Sequence, residues 1–201
     1  MKKKLAFVAI MVTGLVVVLF TFNQFYQTEN EITYYVATIN GIPIPLDQYK
    51  VYLRTTVIDL NELGGDDIWH YTVNIDGMPT VEFAKETALE LIITVILTNS
   101  QGNIQLTEAE RSIAGSQAQA VFDRFTPREQ EQFTMDTLVA VMEAILLREN
   151  TIRYLTQNYH PDEREEVWGH MYAEIRGNAV LERNTEVWDT LDATIFRYIT
   201  Y

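Results

Sequence analysis

Apolar residues recur along this chain in three rhythms, and each rhythm predicts a different kind of element. From Leu5 to Phe22 they run without a single charge, interrupted only by Thr13, Gly14 and Thr21. A helix of that length reaches ~27 Å, the depth of a bilayer's hydrocarbon core. At Val36–Ile39 the pattern shortens: Val36 and Thr38 alternate with Ala37 and Ile39, as the two faces of a pleated strand do. Asn40-Gly41 follows, two residues that tolerate positive φ and so signal a tight turn. Pro43 and Pro45 keep Ile42 and Ile44 out of the α region, which predicts an extended segment. Pro45 then suits the first helical position, with Asp47 favourable in the first turn.

From Leu46 onward the rhythm is helical. Leu46, Tyr49, Leu53, Val57 and Leu60 predict a helix of about four turns that stops before Gly64-Gly65. Gly64 to Thr80 has no period and reads as a loop. A second helix is expected over Val81–Thr98, with Val81, Ala84, Ala88, Leu91, Val95 and Thr98 on its buried face. Thr107 with Glu110 forms a capping box opening a helix to about Phe125, and Thr126, Pro127 and Glu129 repeat the signal. A long helix runs from Thr134 or Met135 to about Tyr159, its stripe being Leu138, Val141, Met142, Ile145, Ile152, Leu155 and Tyr159. Pro161 stops it and starts another, to about Arg176. Ala179–Arg183 is a short strand candidate, and Asn184-Thr185-Glu186 caps a last helix carrying Val187, Trp188, Leu191 and Ile195.

The 201 residues, 47% hydrophobic, suit one domain plus an appendage. Lys2, Lys3 and Lys4 precede the uncharged run, so residues 1–26 read as a cytoplasmic tail and transmembrane signal anchor. Residues 27–33 read as a tether, and 34–201 as an extracytoplasmic domain. No Ala-x-Ala precedes the exit at Thr21–Tyr26, which favours a retained anchor over a cleaved signal peptide; cleavage makes the protein secreted. The expected location is the cell membrane, crossed once through residues 5–22. Fifteen basic residues against 28 acidic ones, a formal charge of −13, disfavour nucleic acid as a partner. With no cysteine there is no disulfide, thiol nucleophile or cysteine metal site.

The remaining chemistry is sparse. His70, His160 and His170 lack zinc-ligand spacing; His170 with Glu174 reads as a surface pair. No nucleophile elbow, phosphate loop or dinucleotide fingerprint occurs. No catalytic residue, cofactor or metal is expected. Trp69 and Trp188 offer recognition anchors but read better as core plugs. Tyr49, Tyr52, Met78, Met135 and Met142 could line a groove for unfolded chains, since Met repacks easily, with core packing the competing assignment.

Several of these stretches are familiar in order. Val36-Ala37-Thr38-Ile39-Asn40-Gly41-Ile42-Pro43-Ile44 and the Tyr-rich helix after it resemble the opening of the SurA/PrsA family of extracytoplasmic foldases. Asp67-Ile68-Trp69, Asp76-Gly77, the helix Glu82–Thr98 and Gly102-Asn103-Ile104-Gln105-Leu106-Thr107-Glu108 continue the likeness. Ala179 to Trp188 is similar to the family's closing strand and following segment. Asn40, Gly41, Trp69 and Trp188 are thus family landmarks. The family's isomerases insert a parvulin domain before the closing strand; here only residues 160–178 lie between Tyr159 and Ala179, and parvulin's own motifs are missing.

The resemblance implies a mostly α, SurA N-terminal-like chaperone domain. A minimal two-stranded sheet pairs Val36–Ile39 with Ala179–Arg183, and one transmembrane helix precedes the domain. It implies binding of unfolded or exported polypeptides without prolyl isomerisation. A partner-specific adaptor or assembly factor is the alternative, and a prolyl isomerase a second, by family membership alone.

Overall fold

Asn40 and Gly41 hold φ of 52° and 78°, so the chain reverses in two residues. Strand β1 (Tyr35–Ile39) therefore runs straight back as β2 (Ile42–Pro45), antiparallel, with Ile39 opposite Ile42 and Thr38 opposite Pro43. The structure, a computed structural model, describes residues 34–71 and 77–193, which lie within one compact unit beginning at Tyr34. The third strand, β3 (Leu181–Arg183), pairs antiparallel with the other side of β1, giving the order β2-β1-β3. Asn40 closes this seam. Its backbone N–H donates to the Val180 carbonyl at 2.8 Å, and its side-chain Oδ1 accepts from the Val180 N–H at 2.8 Å.

Helix α1 (Leu46–Gly64) leaves β2 through Pro45, whose φ of −60° and ψ of 138° make it the cap and Leu46 the first helical residue. Gly65, at φ 61°, ends the helix by donating its N–H to the Asn61 carbonyl. A 3₁₀ segment (Gly65–His70) follows. Helix α2 (Thr80–Asn99) begins with a buried threonine whose hydroxyl lies 2.7 and 2.8 Å from the Ile68 and Tyr71 carbonyls, tying the helix start to that segment.

Both predicted capping boxes form. Thr107 caps α3 (Glu108–Phe122), and Thr126 caps the single turn α4 (Pro127–Gln130). Thr134 caps α5 (Met135–Leu155) by accepting from the Thr137 N–H. Ala114 and Ala118, fully buried and four apart on α3, let α5 approach closely, and the Asn150 amide of α5 donates to Glu110 at 2.7 Å. Helix α6 (Arg164–Gly177) lies along α2 through Tyr172–Thr94 (2.9 Å) and a two-point Arg176–Glu90 pair. The single turn α7 (Thr185–Trp188) ends the described chain's regular structure. The core joins α1, α2, α5 and the sheet. Leu53, Leu89, Ile93 and Leu138 are essentially unexposed, each burial worth ~1.5–3 kcal/mol.

Two features of the expected fold are corrected. The sheet has three strands, because prolines exclude a strand only from a sheet's interior. At the edge, Pro43 and Pro45 lose no interstrand donor. Among the described residues no helix is long and apolar enough to cross a membrane; residues 5–22, where the sequence places that span, lie outside the described residues, as do residues 72–76 and Ile195. Smaller differences are also physical. Leu91 is 43% exposed rather than on the buried face, α3 ends at Phe122, and α5 ends at Leu155, leaving Tyr159 exposed in the turn before Pro161.

Candidate functional site

The structure scatters the aromatic and methionine residues that the sequence offers for binding. Tyr49 is fully buried, its hydroxyl donating to the Lys85 carbonyl at 3.0 Å, and burial pushes its phenol far above the usual range. Tyr52 is buried too, and desolvation pushes its phenol up to about 12. Both stay protonated near neutral pH, so neither is a base or nucleophile. Met78 and Met135 are half-buried, ahead of α2 and at the start of α5.

Trp69 is buried with its indole N–H donating to Asn61 Oδ1 at 2.6 Å. Trp188 is buried among Tyr49 (ring centroids 6.0 Å apart), the Lys85 ammonium (4.9 Å from its ring) and the Arg183 guanidinium (4.8 Å). It fastens the C-terminal segment to α1 and α2. Asn40 and Gly41 form the hairpin turn already described.

Met142 is different: it lines a cleft. Of the five candidate binding residues it alone is among those lining this cleft. The cleft has a volume of about 240 Å³ and is built mainly on one stripe of α1, in which Val51, Arg54, Thr55, Ile58 and Asp59 follow one another at helical spacing. Val121 of α3, with Arg124 and Phe125 just beyond it, forms the second wall, and Met142 of α5 the third. Val51, Ile58 and Phe125 are buried, Val121 and Met142 are half-buried, and Thr55, Asp59 and Arg124 are exposed around them.

Arg54 is the one buried charge in this wall. Its guanidinium lies 4.2 Å from the centre of the Phe125 ring, and its Nε donates to Glu129 Oε1. The other Glu129 oxygen accepts from the Thr126 N–H and hydroxyl, both at 2.8 Å, so one carboxylate serves both the α4 capping box and the ion pair. Phe125 is held from behind by Phe133, 5.1 Å between centroids. Arg54 Nη2 is buried and has no hydrogen-bond partner among the described residues.

Sequence reasoning identifies Glu129 as a cap but misses Arg54, which sits beside Leu53 at the margin of the α1 stripe. No local signal links residues 54 and 129.

Elsewhere the described residues contain no group of three metal-ligating side chains. His170 stands 3.9 Å from Glu166, one turn before it, rather than paired with Glu174; both groups are exposed. His160 accepts from the Asp162 N–H as the cap of the 3₁₀ turn Pro161–Glu163. No family model, no curated protein and no solved structure matches this chain.

Proposed function

We propose that this protein binds extended or partly folded polypeptides of exported proteins, as a chaperone of the SurA/PrsA kind without the isomerase domain. The observation that carries the reading is the cleft between α1, α3 and α5, where Val51, Ile58, Val121, Phe125 and the adaptable Met142 stand among Arg54, Thr55, Asp59 and Arg124. The ordered resemblance from Val36 to Trp188 supports it, and the lysine-led apolar run of residues 1–26 supports export. The formal charge of −13 disfavours nucleic acid as a client.

Magnitudes favour a holdase that releases spontaneously. Burying one Leu- or Phe-sized side chain yields ~1.5–3 kcal/mol, less than the ~4 kcal/mol or more that association costs. A client is therefore held by several weak contacts and leaves without a nucleotide.

The test is light scattering by an aggregating, chemically unfolded client with the purified chain added stoichiometrically. Suppression with a spread of clients is expected. No suppression and no binding to denatured protein sinks the proposal, and capture of one stable partner alone makes the protein an adaptor. Acceleration of proline-peptide isomerisation would overturn the statement that no isomerase is present.

A further inference from the structure

We infer that the outer edge of β3 is a strand-addition site: an extended client segment, with a Lys or Arg two residues from a β-branched or aromatic side chain, pairs its main chain with Leu181 and Arg183. The inference rests on the polypeptide-binding reading and gives the client a contact outside the lining of the cleft.

The ladder fixes which backbone groups are free. Asn184 donates its N–H to the Val36 carbonyl at 3.0 Å, and Asn40 donates to the Val180 carbonyl at 2.8 Å. In the antiparallel register that sets Thr38 opposite Glu182, Glu182 therefore points its N–H and C=O at β1. Leu181 and Arg183, one step to either side, point theirs away from it. No described residue takes up these groups, and no further strand lies beyond β3 among the described residues. The opposite edge is closed, since Pro43 and Pro45 have no N–H to offer another strand. One edge of this sheet thus refuses a strand. The other carries donors and acceptors at extended spacing, the pattern that an added polypeptide strand satisfies.

The side chains name the occupant. Val180 and Glu182, two apart, stand on one face of the strand. Val180 is 60% exposed, and the exposed Glu182 carboxylate meets the Thr38 hydroxyl at 3.4 Å but no cation among the described residues. A second copy of this chain fits badly. The register that pairs the whole of β3 with its antiparallel copy sets two Glu182 carboxylates directly opposite, and like charges there destabilise a sheet. A client strand with Lys or Arg opposite Glu182 gains from the same position, and its residue two places away covers Val180 with an apolar side chain. The net charge of −13 favours the same basic client.

The experiment uses the full chain and labelled, end-capped peptides carrying Val-x-Lys within an apolar run, with one backbone amide N-methylated at a time. Fluorescence anisotropy is expected to show an alternation: about tenfold weaker binding where the methyl replaces an N–H aimed at β3, and little change at the amides between. Replacing the peptide's lysine by glutamate should weaken binding about two- to fivefold, and Glu182→Lys, a change at an exposed position, should reverse that preference. In NMR hydrogen exchange, saturating peptide should slow the Leu181 and Arg183 amides and leave that of Glu182, already bonded to β1, unchanged. Leu181→Pro removes an outward donor without breaking a bond to β1 and should abolish the alternation; if circular dichroism shows it unfolded, exchange in the unaltered protein decides. Peptide that binds with no alternation and leaves both amides unchanged overturns the inference and leaves the polypeptide-binding reading standing. No binding of peptide or of denatured client overturns both. Concentration-dependent slowing of both amides without peptide makes a second copy the occupant and also overturns the inference.

Discussion

Replacing Asn40 separates two contributions of one side chain. Asn40→Gly keeps the left-handed backbone and removes only the acceptor for Val180, so a loss of about 1 kcal/mol or less is expected in urea denaturation. Asn40→Ala also loses the tolerance of positive φ and should cost roughly 1 kcal/mol more than the glycine variant. Equal losses for the two would show that the turn is not held left-handed. Tyr52 makes a pH prediction at the same scale. Burial raises its phenol from 10.0 to about 12, so the folded state keeps a proton that the unfolded chain gives up. That stabilisation is fully present below pH 10 and is lost as pH rises toward 12. Tyr49 acts in the same direction, chiefly through burial and then through Glu86 and Glu82. Tyr52→Phe should flatten the alkaline fall in stability by on the order of 2 kcal/mol at the upper end. An unchanged slope would refute it.

At the scale of elements, local signals were the legible ones. Thr107 with Glu110, and Thr126 with Glu129, are three residues apart, so side chain and backbone meet as soon as the turn forms. Glu110 is held below the usual glutamate range by the Thr107 N–H first, then by Asn150 and the Thr107 hydroxyl. Its contribution is present above the ordinary value and lost as pH falls through the depressed one. In an NMR titration Asn150→Ala and Thr107→Ala, which remove the second and third of these contacts and keep the backbone N–H, should each return Glu110 part of the way toward 4.5, and a titration midpoint unmoved by both changes would remove those two causes. Where a helix is apolar nearly all round, period says less. The C-terminal half of α2 carries Leu91, Ile92, Ile93, Val95, Ile96 and Leu97, and only packing against α1, α5 and α6 leaves Leu91 outside. The second strand was legible only as an extended segment, and for a related reason its pairing was not: Ile42–Pro45 is a strand because it lies at the sheet's edge, and edge position belongs to the sheet, not to the segment.

For the whole molecule, Trp188 joins the end of the described chain to its beginning. Trp188→Ala removes the ring packed among Tyr49, Lys85 and Arg183, and a loss of about 3–5 kcal/mol is expected, with faster proteolysis between residues 177 and 193. Stability within 1 kcal/mol of the parent protein, an order-of-magnitude margin for such a core truncation, would show that the segment does not depend on this plug. The sequence by itself determined the helix starts, the hairpin turn, the breaks at Gly65 and Pro161 and the pairing of Ala179–Arg183 with the first strand. All but the last follow from backbone preferences and contacts within a few residues, and the last was supplied by resemblance. Only the tertiary structure decided the pairing of Ile42–Pro45 as an edge strand, the burial of Tyr49 and Tyr52, and the cleft around Arg54. Those depend on which side chains distant segments bring together, as residues 54 and 129 meet across 75 positions, and no local preference encodes such a meeting.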